Sequence, residues 1–390
     1  MTFRSLSRSH TIYTIAVIGF IYTLHAVIPM YSTSSFLSLF ADERTLGYIY
    51  MAGSIVSIIG FILAPFFIKR FGNYSTAIFL VIAQIFLIYG FVSATSEWAV
   101  AIFFVLQSAV IALIGLSLDI FLEVFTAGEQ IGTVRGLYNA TLNASWVVAP
   151  LLGSMLINGT NNYKNTYVAA LAMLFPLLYL IYRNFPKFRD PNYIHFSPLQ
   201  LFKHVFSNRN WTRLFFANVI LQTFYSWMVV YSPIYLHKVI GFSWEEIGII
   251  LTVMLLPFPL IQYPLGRLSD EKYGEKEIMA MGFGLMGLST ILLAFITEHN
   301  VALWAAALFL TRVGAAASEI MMETYFFKTV SPRDSAVLGS FRITRPVSYF
   351  IAPLITAVGL IFTTHQYLFI GIGVVCLIAL YPALTIKDTN

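Results

Sequence analysis

The chain is poor in charged residues and has a single cysteine. Only 11% of its 390 residues are Asp, Glu, Lys or Arg, whereas 58% are hydrophobic. Average soluble domains carry about 25% charged residues, so this composition excludes an ordinary soluble globular protein. The lone Cys376 excludes an internal disulfide and a cysteine metal cluster, and we interpret it as a small buried hydrophobe.

Several motifs of catalysis are also absent from the sequence. It has no Gly-rich loop followed by Lys-Ser/Thr, so ATP is not the evident energy source, and no His-Glu-x-x-His pattern suggests a catalytic metal. The net charge of +5 comes from Lys and Arg that stand singly or in pairs between apolar segments. Because they form no basic stripe, we expect no nucleic-acid partner. We also expect no cofactor and no enzyme activity.

Runs of about 20 apolar residues, long enough to cross a bilayer as a helix, fill most of the chain. They predict twelve spans, at residues 12–38, 46–67, 75–95, 98–126, 137–157, 165–183, 212–236, 247–266, 278–297, 301–327, 338–362 and 367–385. The longest polar stretch, residues 184–210, separates six spans from six. We therefore predict an all-α membrane protein whose twelve transmembrane helices form two pseudo-symmetric six-helix bundles, residues 1–183 and 211–390, joined by a cytoplasmic linker at 184–210.

The orientation follows from the positions of Lys and Arg between the spans. They concentrate on the side that holds both termini, whereas the opposite side has only Arg44, Lys164 and Lys238. Cytoplasmic loops are enriched in Lys and Arg, so both termini are predicted to be cytoplasmic. We expect a multi-pass protein of the plasma or inner membrane, surrounded by lipid. Nothing in the sequence demands an oligomer, so a monomer is expected.

The two halves of the sequence resemble each other. Five short matches recur in the same order at offsets of 200 to 204 residues: Pro29 with Pro233, Gly47 with Gly248, Gly72 with Gly274, Asp119-x-x-x-Glu123 with Glu319-x-x-x-Glu323, and Ala149-Pro150 with Ala352-Pro353. Internal duplication is common in secondary transporters, whose substrate site lies near the bilayer midplane.

Six plus six spans, a basic central stretch and the duplication make the whole chain resemble the major facilitator superfamily. The sharpest local match is Gly266–Lys276, which is similar to the loop signature of that family. The resemblance implies that loop charges pair with helix ends and stabilise the outward-facing state, with Asp270 holding Arg135 and Arg70 holding Glu123. In the matching first-half loop, Lys69 stands where the family has its acid. Loop charges that only fix the topology are the alternative.

A second resemblance lies in span 5. Ala149-Pro150-Leu151-Leu152-Gly153 is similar to the Gly-Pro-x-x-Gly signature of the proton-coupled antiporters of the superfamily, with Ala in place of the leading Gly. Proline removes a backbone hydrogen bond, and small residues allow close helix contact. The resemblance favours export, whereas close packing alone is the alternative interpretation.

Charged side chains inside the predicted spans are the main functional signal: Asp119, Glu123, Arg312, Glu319, Glu323, Arg342 and Arg345. Each charge at bilayer depth costs about 2.5–3.5 kcal/mol on insertion scales, so such residues are expected to face a polar cavity or one another. The rise of about 1.5 Å per helical residue puts Glu319 level with Arg345, and Glu323 level with Arg342. We predict these two pairs, which would lock one conformation.

Arg312 is predicted to anchor a polar or anionic substrate group, or to pair with an acid across the cavity. A buried structural pair with Glu319 is the alternative. In the first half, the positions matching Arg342 and Arg345 hold Asn139 and Leu142. Desolvation favours a protonated carboxyl, so Asp119 is the first candidate for the proton carrier and Glu319 the second. Asp119 as a structural hydrogen-bonding acid remains the alternative.

The family resemblance implies that spans 1, 4, 7 and 10 line the substrate cavity. The candidate lining residues are His25, Tyr31, Gln222, Tyr225 and, from span 5, Asn143. His25 could also shuttle protons. A neutral histidine with a hydrogen bond, and aromatic rings that only pack, are the alternatives.

These features predict a proton-coupled secondary transporter that works by alternating access and exports small amphipathic compounds in exchange for protons. The alternative is proton-coupled uptake of a polar or anionic small solute held by Arg312. Sodium in place of the proton stays open. A membrane enzyme would need a nucleophile or metal constellation that the sequence lacks, and a transport-dead receptor would bind its ligand without counterflow.

Overall fold

The structure of the chain is a computed structural model that describes residues 3–126, 131–158, 162–190, 206–261, 264–265, 274–329 and 335–387. Within these ranges all regular structure is helical. Helices satisfy their own backbone N–H and C=O groups, which the bilayer interior requires. The predicted all-helical class is therefore confirmed. The chain divides into two units, Met1–His195 and Phe196–Asn390, and each is described by itself.

The described residues of the first unit form a long helix, a short one and then five long ones. They are α1 (Phe3–Val27), α2 (Thr33–Leu37), α3 (Glu43–Phe71), α4 (Asn73–Ser93), α5 (Glu97–Thr126), α6 (Ile131–Ile157) and α7 (Lys164–Asn184). Asp42 precedes α3, and its carboxylate accepts a hydrogen bond from the Thr45 backbone N–H at 2.8 Å. This side chain caps the start of the helix.

The second unit follows the same order. Its helices are α8 (Arg209–Val230), α9 (Ser232–Ile234), α10 (Trp244–Leu255), α11 (Glu275–Leu293), α12 (Val301–Thr329), α13 (Ser335–Phe362), α14 (His365–Ile378) and α15 (Leu380–Thr385). A π-helical turn, Tyr235–Ile240, follows α9. Ser243 and Glu246 start α10 with a reciprocal capping box.

Ten helical segments in the described part of the chain are long and apolar enough to cross a membrane. They lie at residues 44–71, 73–93, 97–122, 164–184, 209–240, 244–261, 275–293, 301–326, 343–362 and 365–385, and each overlaps a predicted span. Two shorter apolar segments, Tyr13–Val27 and Thr141–Ile157, belong to α1 and α6 and coincide with predicted spans 1 and 5.

The first predicted span of the first half is broken near a proline. Residues 12–38 are predicted as one span, but α1 ends at Val27 and α2 begins at Thr33. Pro29 has no N–H to continue the helix. Its carbonyl instead accepts a hydrogen bond from the Thr33 hydroxyl at 2.8 Å. In the second unit α8 ends at Val230, but the backbone N–H groups of Tyr231 and Tyr235 bond to the carbonyls four residues earlier, so residues 209–240 continue as one helical segment.

The same helix neighbours recur in both units. In the first unit α1 packs on α5, α6 and α7, α5 packs on α3 and α4, and α4 packs on α7. In the second unit α8 packs on α12, α13 and α14, α12 packs on α10 and α11, and α11 packs on α14. The duplication read from short sequence matches therefore corresponds to a repeated packing scheme.

Hydroxyl groups join the matching helix pairs at matching positions. In the first unit the Ser145 hydroxyl of α6 donates to the Phe20 carbonyl of α1 at 3.1 Å. In the second unit the Ser348 hydroxyl of α13 lies 3.2 Å from the Val219 carbonyl of α8. One turn earlier, Thr141 reaches the Ala16 carbonyl at 3.4 Å, and Thr344 accepts from the Asn218 amide at 3.0 Å. Ser and Thr hydroxyls serve as interhelical contacts in apolar surroundings.

The α11–α12 contact depends on two glycines. A Cβ atom on Gly314 would lie 2.5 Å from the Gly282 carbonyl oxygen, and one on Gly282 would lie 2.7 Å from the Gly314 carbonyl oxygen. The absence of side chains at both positions lets the two backbones touch, as small residues do between membrane helices. This contact fixes α12, which carries most of the candidate site.

The segment after α7 folds back on the first unit. The ring of Phe185 stacks on Phe121 of α5 with centroids 4.5 Å apart, and Phe188 meets the same ring edge-on at 4.7 Å. The Asp190 carboxylate accepts a hydrogen bond from the Asn73 backbone N–H, at the start of α4, at 2.8 Å. Residues 185–190, which belong to the predicted linker, thus pack on α4 and α5.

Candidate functional site

The second unit buries an arginine between two aromatic rings. Arg312 of α12 is 2% exposed. Its Cζ atom lies 4.9 Å from the centre of the Phe224 ring and 5.1 Å from the centre of the Tyr225 ring, both on α8. A guanidinium over a ring face is attracted by the ring quadrupole, and the attraction is stronger away from water. The two rings of α8 therefore stabilise the guanidinium of α12 where it is buried.

Tyr225 also reaches the acid two turns along α12. Its hydroxyl donates to Glu319 Oε2 at 3.4 Å. Seven helical residues rise by about 10.5 Å, so Arg312 and Glu319 lie on nearly the same face at different depths. One tyrosine consequently contacts both: its ring meets the cation, and its hydroxyl meets the carboxylate.

More charged groups surround Glu319. Arg312, Glu323 and Arg345 all interact with it electrostatically. Arg345 of α13 in turn has a side-chain hydrogen bond with Tyr349. The structure thus brings Glu319 and Arg345, predicted as a pair, into electrostatic range. The Arg342 side chain, predicted to pair with Glu323, lies outside the described residues.

The exposure of the charged residues falls along α12: Glu323 is exposed, Glu319 is half-buried and Arg312 is buried. Arg345, on α13, is exposed. Consecutive acids are about 6 Å apart along the helix axis. The charges therefore form a polar path from the accessible surface to the buried guanidinium.

The first unit has a less charged arrangement at the matching place. Asp119 lies half-buried on α5, seven residues after Ala112, the position that matches Arg312. The Tyr22 hydroxyl of α1 donates to the Ile111 carbonyl of α5 at 2.8 Å. This tyrosine contacts the backbone beside Ala112, at the place where the second unit has a cation.

His25 lies one turn from Tyr22 on α1. It is 1% exposed, and its ring meets the Tyr22 ring edge-on with centroids 6.4 Å apart. Neither ring nitrogen has a hydrogen-bond partner among the described residues. The hydrogen-bonded structural histidine that the sequence left as an alternative is therefore not observed among these residues.

The other predicted lining residues differ in accessibility. Tyr31 is 4% exposed, whereas Gln222 and Asn143 are half-buried. Among the predicted gating residues, Arg70 is exposed with its Cζ atom 5.4 Å from the centre of the neighbouring Phe71 ring. Asp270 and the side chains of Glu123 and Arg135 lie outside the described residues, so both predicted loop pairs stay predictions.

The antiporter-like segment packs closely on the residue that follows α1. A Cβ atom on Gly153 would lie 2.7 Å from the Ile28 carbonyl oxygen, and Ala149 is fully buried. In the second unit the position that matches Gly153 is Thr356, whose hydroxyl accepts a hydrogen bond from the Trp227 indole at 3.0 Å. In the first unit the residue at this position lets α6 approach the backbone directly after α1. In the second unit it accepts a hydrogen bond from α8.

Phe224 and Tyr349 were not identified from the sequence. Phe224 directly precedes Tyr225, but an aromatic residue in an apolar run gives no signal of contact with a charge on another helix. Tyr349 lies four residues after Arg345, a helical neighbour spacing that could have indicated it. Among the described residues, no group of three or more His, Cys, Asp or Glu could hold a metal ion.

The arrangement in the second unit can bind charge and exchange protons. A carboxylate near a second carboxylate and two guanidinium groups changes its interactions when it gains a proton. A buried arginine can exchange an internal partner for an anionic or polar ligand. Neither step requires a covalent intermediate.

The sequence and the fold are both similar to those of membrane transporters. Residues 14–255 and 229–389 match the family model of the Major Facilitator Superfamily. The fold is similar to that of a mutant of the nucleoside transporter NupG, with a TM-score of 0.78, 11% identity, and coverage of 96% of this chain and 99% of that chain. At this identity the likeness concerns the fold alone. No curated protein sequence gives a significant match.

Proposed function

The chain belongs to the Major Facilitator Superfamily, and we propose that it is a proton-coupled secondary transporter that works by alternating access. Its twelve transmembrane helices would form two six-helix bundles, with both termini in the cytoplasm of the cell and the protein in the plasma or inner membrane. Ten long apolar helices and two shorter ones support this number of spans. The protein would act as a monomer.

The observation that carries the proposal is the graded set of charges on α12. Glu323 is exposed, Glu319 is half-buried beside the Tyr225 hydroxyl, and Arg312 is buried between two rings. Charges inside membrane helices are costly and mark ion or substrate pathways. A proton could reach Glu319 from the surface past Glu323, and its arrival would change the interaction of Glu319 with Arg312.

Two carboxylates are candidates for the proton carrier. Asp119 and Glu319 occupy matching positions of α5 and α12, and both are half-buried. On the helix of Asp119, the position that matches Arg312 holds Ala112. Glu319 interacts electrostatically with Arg312, Glu323 and Arg345. We propose that the proton is carried through one of these two residues.

The direction that we propose is export of small amphipathic compounds in exchange for protons. The similarity of Ala149–Gly153 to the antiporter signature supports it, and the close approach of Gly153 to the Ile28 carbonyl fits a segment built for tight helix contact. The second candidate is proton-coupled uptake of a polar or anionic solute. Its specific support is Arg312, a buried cation suited to an anionic group.

The test uses purified protein in proteoliposomes that contain a pH-sensitive dye. Ethidium, lactose, lactate and uridine are each added as probes on one side, with wild type beside Asp119→Asn and Glu319→Gln. Coupled transport predicts proton movement driven by one probe class and lost in at least one variant. Protons moving against the probe indicate export by exchange, and protons moving with the probe indicate uptake. Binding without proton movement or counterflow would contradict the proposal.

A further inference from the structure

Two pairs of basic residues come together at one end of the first unit, although they are far apart in the sequence. Lys69 and Arg70 lie in the last turn of α3, and Lys187 and Arg189 belong to the segment that follows α7. All four side chains are exposed. We call these four residues the basic patch.

The contact that brings the two pairs together is made by an aspartate. Asp190 accepts a hydrogen bond from the Asn73 backbone N–H at 2.8 Å, across 117 residues of sequence. A Cβ atom on Gly72 would lie 2.8 Å from the second carboxylate oxygen of Asp190. Arg70 is two residues before Gly72, and Arg189 directly precedes Asp190. The contact therefore holds the backbone of both arginines at one place.

Aromatic packing holds the second pair in position. The ring of Phe185 is 1% exposed and stacks on Phe121 of α5, and Phe188 meets the same ring edge-on. Lys187 lies between the two anchored phenylalanines, and Arg189 directly follows the second. The backbone at both basic residues is therefore held by neighbours that pack on the first unit.

The basic patch lies at the boundary of the bilayer. The apolar segments of α3 and α7 that are long enough to cross a membrane end at Phe71 and Asn184. Next to the patch, Phe66, Phe67 and Phe71 expose their rings on α3. Aromatic rings are enriched at the level of the lipid headgroups, and Lys and Arg near helix ends extend to the same level. The four cations are therefore placed where headgroups lie.

The sequence around the basic patch is poor in acids. It has no Asp or Glu between residues 45 and 96 or between residues 165 and 189. Asp190 is the acid at the contact between the two pairs. If Arg70 pairs with Glu123, as predicted, the other three cations of the basic patch remain. The patch therefore keeps an excess of positive charge.

We propose that the basic patch binds the headgroup of an anionic phospholipid. Lys and Arg bind phosphate groups, and cations that are already held in place lose little freedom on binding. The exposed rings of α3 border the patch, so an acyl chain can pack on them while the headgroup meets the charges. A free anion would gain nothing from the rings.

The proposed orientation of the protein places the basic patch on the cytoplasmic side. The cytoplasmic leaflet carries the anionic lipids, so this is the side on which the ligand is available. The inference takes only this orientation from the proposed function. It does not depend on proton coupling or on the direction of transport.

The test follows lipid binding to the delipidated full-length protein in an uncharged detergent by native mass spectrometry. The probes are phosphatidylglycerol, phosphatidylcholine and inorganic phosphate. The wild type should bind phosphatidylglycerol at least about tenfold more tightly than phosphatidylcholine, because only the first lipid has a net negative charge. An equal concentration of inorganic phosphate should leave this binding in place. Equal affinity for the two lipids, or displacement by phosphate, would overturn the inference.

A triple variant removes three cations of the basic patch and spares Arg70, a predicted gating residue. Its substitutions are Lys69→Gln, Lys187→Gln and Arg189→Gln. Each Lys or Arg near an anionic surface contributes about fivefold to affinity, so phosphatidylglycerol binding should weaken by about 100-fold. Unchanged binding would overturn the inference.

A second triple variant controls for net charge. It removes three lysines that are far apart in the sequence, through Lys164→Gln, Lys238→Gln and Lys387→Gln. This variant should bind phosphatidylglycerol as the wild type does. An equal loss of binding in both triple variants would show that net charge alone attracts the lipid, and would also overturn the inference.

Phe188→Ala tests the docked segment without changing the charge. The Phe188 ring contacts Phe121 and, with centroids 5.9 Å apart, Phe125. Loss of these contacts releases the neighbouring cations, so phosphatidylglycerol binding should weaken by about fivefold or more. The control is Phe79→Ala, at a ring of α4 that is 69% exposed, and it should bind normally. Unchanged binding by Phe188→Ala would overturn the inference.

The outcomes separate this inference from the proposed function. Thermal unfolding shows that each variant is folded, and the binding measurements use neither a substrate nor a pH gradient. Failure of lipid binding would overturn the inference and leave the proposed transport untouched. A wild type that binds phosphatidylglycerol but moves no protons would overturn the proposed function alone.

Discussion

Helices α5 and α12 occupy matching places in the two units but differ in charge. Both pack on the first helix and on the two helices before them in their own unit. At the place where α12 has Arg312, α5 has Ala112, and where α12 has Glu319, α5 has Asp119. In the first unit, Tyr22 of α1 donates to a backbone carbonyl of α5. In the second unit, Tyr225 of α8 contacts a cation and a carboxylate of α12.

This difference shows which features of a duplicated chain are structural. The hydroxyl bridges Ser145 and Ser348 recur, and so do the Ala-Pro pairs of α6 and α13. Such contacts hold helices together in surroundings where apolar residues gain little by meeting each other. The acids recur as Asp119 and Glu319, but the arginines do not: Arg312, Arg342 and Arg345 have no charged counterpart in the first unit, so they serve a role that the duplicated packing does not require. We infer that substrate recognition is concentrated in the second unit.

The largest effect is expected when α12 receives the residue that α5 has at the matching position, Ala112. Arg312→Ala should reduce transport of the probe that drives proton movement by about 100-fold or more, because the buried charge that would hold a polar substrate group is lost. Initial uptake rates in proteoliposomes measure the effect. Arg183→Ala, at an exposed arginine of α7, is the control and should transport normally. Full activity of a folded Arg312→Ala would show that Arg312 is no more than a structural cation.

The second prediction concerns Gly153 and Thr356, which lie three residues after the proline of the Ala-Pro pair in α6 and in α13. Gly153→Val should lower the free energy of unfolding by about 1–3 kcal/mol, because a side chain would collide with the Ile28 carbonyl. Thr356→Val should cost about 1 kcal/mol through loss of the Trp227 hydrogen bond. Thermal unfolding in detergent measures both changes.

Gly371→Val provides the matched glycine control for that comparison. Its Cβ atom would meet nothing within 4 Å, so the variant should unfold as the wild type does. If Gly153→Val were as stable as the wild type, the close approach of α6 to Ile28, directly after α1, would not exist in the protein. The antiporter-like segment would then need a functional explanation.

The smallest predicted effect concerns the hydroxyl bridges. Ser145→Ala and Ser348→Ala should each lower the free energy of unfolding by about 0.5–1.5 kcal/mol. The two effects should be similar, because each variant loses one hydrogen bond between the first and fifth long helices of its unit. Unfolding of the two variants side by side measures the difference. A cost confined to one of them would mean that the two units do not share this packing.

Much of the fold could be predicted from the sequence because the bilayer leaves few alternatives. Apolar runs of sufficient length predicted the helices, and the matches of Asp119 with Glu319 and of Pro150 with Pro353 predicted the repeated order. The break of the first span at Pro29 was missed, since the apolar run continues beyond it. The docking of Phe185 and Phe188 on Phe121 was also missed, because hydropathy gives no sign that a connecting segment folds back.

The candidate site was only partly accessible to sequence reasoning. Depth along a helix follows from residue number, which is why Glu319 and Arg345 could be expected at the same level in advance. Contacts between helices depend on how each helix is rotated about its axis. The position of Arg312 between Phe224 and Tyr225 depends on the rotation of both α8 and α12. No pattern within a single span contains that information.

The most direct test of the account is the internal pH of proteoliposomes holding wild type, Asp119→Asn or Glu319→Gln while ethidium, lactose, lactate and uridine are added in turn. The account predicts that one probe class drives proton movement in the wild type and that at least one of the two variants abolishes it. Probe transport by the wild type without any proton movement, or proton movement that both variants retain, would contradict it.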